Sequence, residues 1–227
     1  MPESIPLFPL GTVLLPGASL PLHVFEPRYR RLTTDLVTGA VPGKSFGVVA
    51  VRSGRDGSEG DIEALHGVGC TARLKEVSRL PDGRFDIVTT GERRFKVLAV
   101  EKTASSYLSA TVQWLPDDEM SAQESQHLLP RLVLAARAAH HRYCEVAWKR
   151  NDWTPPDDEV DAALLSHLLA ADCLLPLEDR QALLEERSSV RRLRLVRRVI
   201  SRETHILSEL RAIPVPLEQV LLPMGLN

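Results

Sequence analysis

Cysteine is scarce in this chain of 227 residues, and aromatic residues make up only 5% of it. The three cysteines, Cys70, Cys144 and Cys173, are odd in number and widely spaced, so the sequence predicts no disulfide framework. With 44% hydrophobic residues the chain is still apolar enough to fold around a core. We therefore expect a folded protein of a reducing, cytoplasmic compartment.

An excess of one charge and an unbroken apolar run are also missing. The formal net charge is −2, so no global attraction to nucleic acid or to an anionic membrane is expected. The uncharged run 4–25 contains Pro6, Pro9, Pro16 and Pro21, each of which removes a backbone donor. A membrane span needs about 20 residues of unbroken apolar helix. The run therefore predicts short strands broken by turns, and no membrane partner.

Sequence patterns typical of catalysis or cofactor binding are missing as well. Gly43-Lys44-Ser45 resembles the end of a phosphate-binding loop, but Thr38 stands where the motif needs its first glycine, and a strand-like segment follows. Gly-x-Ser-x-Gly is absent. His141 and Cys144 supply only two metal ligands on one helix face. We expect no enzyme activity, no metal and no cofactor.

The first half of the chain alternates short apolar runs with turn residues, which predicts a β-rich domain over residues 1–118. Pro81-Asp82-Gly83 predicts a tight hairpin, because proline presets φ and glycine accepts a positive φ. The predicted strands are 12–15, 20–25, 46–52, 69–80, 84–90, 94–102 and 107–115.

One helix is predicted among these strands, from Pro27 to Gly39. Its apolar residues follow one another at helical spacing and are expected to face the core. They are Tyr29, Leu32, Leu36 and Val37.

The second half, residues 119–227, reads as a helical bundle with an extended C-terminal tail. Ser121-x-x-Glu124 has the pattern of a capping box. Helices are predicted at 132–148, at 159–171 and from about 178 to 211, the last with a break near Ser188-Ser189. Asp157 or Asp158 is expected to cap the second of them.

Several separated sequence blocks resemble the amino-terminal, substrate-binding domain of Lon proteases, and they occur in the order of that family. The blocks are 6–10, 20–30, 46–49, 67–73, 80–85, 91–95, 107–110 and 174–185. The chain is similar to the stand-alone Lon-domain proteins of bacteria. The resemblance implies an α+β fold in which a PUA-like β pseudo-barrel with one inserted helix is followed by a C-terminal helical bundle.

The same resemblance implies a non-catalytic polypeptide-binding module without ATPase or peptidase domains. Unfolded or extended polypeptides are the expected partners. We expect them to dock on apolar surface of the β half, at an exposed strand edge or in a groove between the halves. Three alternatives stay open: an adaptor that delivers clients to a separate ATP-dependent protease, a PUA-like nucleic-acid-binding protein, and a hydrolase whose nucleophile no sequence motif marks.

The densest charged blocks of the β half supply the candidate recognition residues. They are Glu26, Arg28, Tyr29, Arg93 and Arg94. A structural role is the favoured interpretation: Glu26 caps the Pro27 helix and pairs with an arginine of the second block.

A basic stripe on the last predicted helix is the other charge feature. Arg191, Arg194, Arg198 and Arg202 form it, whereas Arg192 falls inside the apolar arc. No interleaved aromatic residues offer stacking platforms for bases, and the preceding segment is strongly acidic. We therefore expect a solvated or internally paired helix face, not a nucleic-acid site.

Overall fold

A computed structural model describes residues 2–52, 62–102, 106–148 and 153–210. The chain forms two compact units. The first comprises Met1–Asp118 with Arg180–Arg187, and the second comprises Glu119–Asp179 with the described residues after Arg187. The sequence places 180–187 in the helical half, whereas the structure includes this segment in the first unit.

Six strands form the sheet of the first unit. They are β1 (Glu3–Leu10), β2 (Ser19–Val24), β3 (Ser45–Ala50), β4 (Val68–Arg79), β5 (Phe85–Lys102) and β6 (Leu108–Trp114). Their order is β2-β5-β4-β3-β1-β6, and β5 also pairs with β6. The pairings from β5 through β4, β3, β1 and β6 therefore return to β5. Only β1 and β3, among these pairs, run parallel.

Alternate residues of these strands build one apolar cluster. Leu7, Val49, Phe95, Ala110 and Val112 are buried in it. The period-two alternation of the strands places these side chains on one face of the sheet. Burial of apolar area stabilises such a cluster by roughly 25 cal/mol per Å².

The predicted hairpin is confirmed between β4 and β5. Leu80 N donates to Arg84 O at 2.9 Å, and Gly83 N donates to Leu80 O at 2.9 Å. Gly83 has φ +81°, a conformation that L residues adopt only with strain.

The inserted helix is confirmed as α1 (Pro27–Thr38), which Gly39 ends at φ 82°. Leu32 and Leu36 are buried, as expected. Val37, however, is 51% exposed and does not share the buried face of the other apolar residues. Val37 directly follows Leu36, and adjacent helical residues point about 100° apart.

The strand predicted over 12–15 is wrong, and β1 at Glu3–Leu10 was not among the predicted strands. Val13, Leu14 and Leu15 are buried in a loop, so their apolar character reflects burial without strand pairing. Pro6 lies where β1 pairs with β6, and Pro9 lies where it pairs with β3. Because β1 changes partner along its length, each missing donor can face the side without a ladder.

The two strands predicted over 84–90 and 94–102 form a single strand, β5. Gly91 lies in the gap between the two predicted strands. Instead, a Cβ at Gly91 would lie 2.2 Å from Leu15 O, and Gly91 N donates to Ala18 O at 2.9 Å. Because Gly91 has no side chain, the neighbouring loop packs closely against β5 at this position, and the strand continues.

The second unit is helical, as predicted. Its helices are α2 (Leu129–Ala147), α3 (Ala162–Ala171) and α5 (Ser189–Leu210), and α4 (Leu177–Glu185) begins in this unit and ends in the first. The break at Ser188-Ser189 is confirmed by the separation of α4 from α5. None of the described helices is both long and apolar enough to cross a membrane. The predicted C-terminal tail lies outside the described residues.

Helix starts follow local chemistry. The capping box is confirmed, since Ser121 Oγ donates to Glu124 Oε2 at 2.7 Å and Glu124 N donates to Ser121 Oγ at 3.3 Å. The cap of α3 is Asp161, whose carboxylate accepts from Ala163 N at 3.0 Å. The expected caps, Asp157 and Asp158, are wrong because α3 begins later than the sequence suggests.

Candidate functional site

An open groove of about 660 Å³ lies in the first unit between α1 and the β4–β5 hairpin. Both sides of the groove supply apolar and basic side chains. The lining includes Arg30, Val37, Val77, Arg79, Gly83 and Phe85.

The two periodicities of the chain bring these side chains to the groove. On α1, Arg30, Thr34 and Val37 follow one another at helical spacing and all line the groove. On β4, Val77 and Arg79 are two residues apart and share a face of the strand. The hairpin register then sets Phe85 opposite Arg79.

Apolar surface is accessible at this groove. Val37 is half exposed, and Val77 and Phe85 are only partly buried. Large exposed apolar side chains that lie close together are typical of interaction sites.

The charge of the groove is positive. Arg31 forms an ion pair with Asp35, with 3.0 Å between Nε and Oδ1. By contrast, Arg30 and Arg79 form no ion pair with any residue that the structure describes. The guanidinium of Arg30 lies against the hairpin tip, because a Cβ at Gly83 would be 2.5 Å from its Nη2.

Beside the groove, the exposed carboxylates of the hairpin have hydrogen-bond partners. His23 Nδ1 lies 2.6 Å from Asp86 Oδ1, and Arg84 Nε donates to Asp82 Oδ2 at 2.5 Å. Hydrogen bonds from Arg84, first from its backbone N–H, lower the pKa of Asp82. Asp82 and Asp86 therefore already have basic partners.

The first block of candidate residues lies at the start of α1. Glu26 is the N-cap residue, but its carboxylate makes no capping bond and accepts from Arg28 Nε at 2.9 Å. Arg28 also lies over the ring of Tyr29, at 4.6 Å from its centroid. Tyr29 is buried and stacks on Phe8 with 3.7 Å between centroids.

The expected role of Glu26 as a side-chain cap paired with the second block is thus wrong. The guanidinium of Arg28 in the same turn takes the carboxylate, and the N–H of Tyr29 donates to the backbone oxygen of Glu26 instead. Glu26 and Arg28 instead form a local pair at the start of α1.

The second block has other partners. Arg93 lies over the ring of Trp114, at 3.7 Å from its centroid. Arg94 is 6% exposed, donates to the carbonyl oxygens of Leu184 and Glu186 at 2.8 Å each, and pairs with Asp117. The described contacts therefore do not join the block of Glu26 and Arg28 to the block of Arg93 and Arg94. Arg94 instead binds the end of α4 within the first unit.

The basic stripe lies on the exposed face of α5, with Arg191, Arg194 and Arg198 accessible. Arg202 donates to Asp179 at 2.5 Å and to Glu203 at 2.6 Å, and these contacts raise its pKa. The stripe is therefore partly neutralised within its own unit.

Glu124, near the start of the helical half, also interacts with the basic stripe. Hydrogen bonds with Ser121 lower the pKa of Glu124 most, and the charges of Arg194 and Arg191 lower it further. The internally paired interpretation of the stripe gains support from these contacts.

A buried cluster in the second unit has the residue types of a thiol enzyme but not the required chemistry. His140 Nε2 lies 3.2 Å from Asp172 Oδ2 and 3.6 Å from Cys144 Sγ, so one nitrogen faces both groups. A catalytic relay uses the two nitrogens separately. Burial, and then the charge of Asp172, raises the pKa of Cys144 to about 12, which keeps it a thiol.

The two potential metal ligands, His141 and Cys144, are not brought together, because Cys144 is buried whereas His141 is exposed and lies near Glu145. Within the described ranges, no group of three or more His, Cys, Asp and Glu side chains is placed to hold a metal ion.

Sequence reasoning missed the groove itself. Arg30 and Phe85 stand at the ends of two blocks that carry the family resemblance, and this was the available signal. Their juxtaposition depends on how α1 packs beside a hairpin far along the chain.

Comparisons with known proteins identify the family to which the sequence is similar. Residues 4–202 match the family model of the ATP-dependent protease La (LON) substrate-binding domain. Lon proteases of Cytophaga hutchinsonii and Anaeromyxobacter dehalogenans are each 28% identical, over 84% and 91% of this chain. The chain spans only 23% and 24% of those proteins.

Solved structures are similar over most of the chain. The Lon N-terminal domain protein from Xanthomonas campestris is 26% identical, with a TM-score of 0.58 over 93% of this chain and 99% of that one. The N-terminal domain of Mycobacterium avium complex Lon protease has a TM-score of 0.64 over 88% and 98%. Its identity of 19% makes that likeness one of fold alone.

Proposed function

This chain belongs to the family of the ATP-dependent protease La (LON) substrate-binding domain, and from that membership we propose that it binds extended or unfolded polypeptides without acting on them chemically. The proposed site is the groove between α1 and the β4–β5 hairpin. We also propose that the protein is cytoplasmic. The strand pairings that return to β5 are proposed to form a PUA-like pseudo-barrel.

The accessible apolar lining of the groove is the observation that carries this proposal. Its volume of about 660 Å³ is within the range of roughly 300–1,000 Å³ that is typical of ligand sites. Val37, Val77 and Phe85 offer aliphatic and aromatic contacts without a deep, closed pocket. A shallow apolar surface accepts many side chains, which suits loose sequence specificity.

The alternatives from the sequence have less support. The partly paired stripe on α5 does not favour nucleic acid. Delivery of bound polypeptides to a separate protease would be a further step after binding, and co-purification of the chain with such a protease would test it.

Substitution of Val37 tests the proposed site. Val37→Gln removes apolar contact at the groove, and we expect about tenfold weaker binding of an unfolded model protein, which corresponds to the loss of one buried aliphatic side chain. Isothermal titration with a reduced and alkylated, permanently unfolded protein measures the affinity. Leu98→Gln is the matched control, since Leu98 is 46% exposed in the same unit but is not part of the lining.

If the unsubstituted chain shows no saturable binding, the proposed function is wrong. If both substitutions weaken binding equally, polypeptide binding stands but the groove is not its site.

A further inference from the structure

Two arginines give the groove a chemical preference that its apolar lining alone would not. Arg30 is partly buried against the hairpin tip, and Arg79 is exposed on the opposite wall. Both are without an ion-pair partner in the part of the chain that the structure describes. An approaching ligand therefore meets two guanidinium groups whose charge is not already neutralised.

The nearby acidic groups do not compensate these charges. Asp35 pairs with Arg31 and also accepts from Tyr107 Oη at 3.1 Å. Asp82 and Asp86 are held by Arg84 and His23. Each of these carboxylates has its own basic or hydroxyl partner.

Apolar and positively charged side chains lie close together on both walls of the groove. Val77 and Arg79 are adjacent on one face of β4, and Val37 and Arg30 lie two turns apart on one face of α1. A ligand that fills the groove therefore contacts apolar side chains and guanidinium groups that lie next to each other. A carboxylate is the polypeptide group that guanidinium binds with two parallel hydrogen bonds.

We propose that the groove prefers extended polypeptide segments in which an apolar residue is flanked by acidic side chains. This inference rests on the proposed function and specifies its substrate class. Arg30 is partly buried, so a carboxylate that binds its guanidinium gains more than at a fully exposed arginine. A lysine or arginine beside the apolar residue would meet like charge and be disfavoured.

Three short peptides test the preference. They share one apolar centre and differ only in their flanks, which are acidic, neutral or basic, and both termini are blocked. Fluorescence anisotropy at low and high salt gives the affinities. We expect the acidic peptide to bind about tenfold more tightly than the neutral one at low salt, the basic peptide to bind weakest, and the differences to shrink as salt screens the charges.

The double variant Arg30→Gln with Arg79→Gln should lose this preference, so that it binds the acidic and the neutral peptide with similar affinity. The matched control, Arg194→Gln with Arg198→Gln, removes the same charge from exposed positions on α5 and should keep the preference. The neutral peptide also reports on folding, because a misfolded groove would bind none of the three.

Each other outcome overturns a distinct part of the inference. Equal binding of all three peptides, or a preference lost in the α5 variant instead, contradicts acid recognition by the groove. A neutral peptide with a free carboxyl terminus that binds as tightly as the acidic one would assign the site to chain ends. If no peptide binds although the unfolded model protein does, the inferred preference is wrong and the proposed function stands; if neither binds, the proposed function fails as well.

Discussion

Arg192 shows how one charged side chain is accommodated inside an apolar helix face. The sequence places it within the apolar arc of α5, and the structure buries it completely. Its Nε donates to Ser166 Oγ at 2.7 Å, and its Nη2 donates to Ala163 O at 3.0 Å. These bonds join α5 to α3 within the second unit. Burial with hydrogen bonding assigns Arg192 to structure, whereas Arg30 and Arg79 remain accessible for binding.

Removal of this side chain should destabilise the second unit. We expect Arg192→Ala to lower the free energy of unfolding by about 3 kcal/mol, because it leaves a cavity and deprives Ser166 and Ala163 O of a donor. Urea unfolding followed by circular dichroism measures the change. Arg197→Ala, at an exposed position of the same helix, should change stability by less than about 0.5 kcal/mol. Equal effects of the two substitutions would contradict a structural role for Arg192.

At the scale of elements, the backbone conformation of the hairpin turn affects a side chain of the groove. Gly83 adopts φ +81°, and a Cβ there would lie 2.5 Å from Nη2 of Arg30. The tip of a flexible side chain can move away, but it would then leave its position at the groove. One residue thus influences both the stability of the turn and the position of a cation.

Gly83→Ala should therefore have two effects. We expect a loss of about 1 kcal/mol in unfolding free energy from the left-handed backbone, and a weaker preference for acidic peptides from the displaced Arg30. Thermal melts and the peptide assay measure the two effects separately. Gly67→Ala is the control, since a Cβ there meets no heavy atom within 4 Å and its φ is not in the left-handed range. A variant with unchanged peptide preference would show that Arg30 does not depend on this turn.

Elements set by neighbouring residues could be predicted from the sequence. The Pro81-Asp82-Gly83 turn, the α1 helix after Pro27 and the Ser121–Glu124 capping box each depend on chemistry within a few positions. Elements set by distant partners could not. The pairing of β1 despite its prolines and the continuity of β5 through Gly91 both require strands or loops far along the chain.

The groove belongs to this second kind. Arg30, Gly83 and Phe85 lie in family blocks, but the choice of Arg30 over Arg28 as a groove residue follows from packing. Arg28 is held by Glu26 and lies over Tyr29, and the sequence does not show which arginine finds a local partner.

At the scale of the whole molecule, the first unit is made from two separate parts of the chain. Arg180 Nη2 donates to Val13 O at 3.2 Å, and Gln181 Nε2 donates to Val68 O at 3.1 Å. Arg94 binds the carbonyl oxygens at the end of α4. The boundary after residue 118 that the sequence suggests therefore leaves out a segment that this unit contains.

A fragment of residues 1–118 should accordingly be less stable than one that also carries α4. We expect a higher melting temperature when residues 177–187 are joined to Asp118 through a Gly/Ser linker of about 12 residues, which can span the length of α4. Circular dichroism melts of the two fragments measure the difference. A linked fragment in which Arg94 is replaced by alanine is the control, and it should lose much of the gain. Identical melting of the two unsubstituted fragments would show that the segment adds nothing.

The discontinuous first unit has a consequence for synthesis on the ribosome. Its β-strands emerge first, yet Leu183 and Leu184 follow only after the intervening residues 119–179 have been made. At ~5–20 residues per second, those residues take about 3 to 12 seconds to translate. During this interval the nascent β-domain lacks the last part of its own fold, so ribosome-bound chains that stop before residue 180 should be more sensitive to protease than chains released at full length.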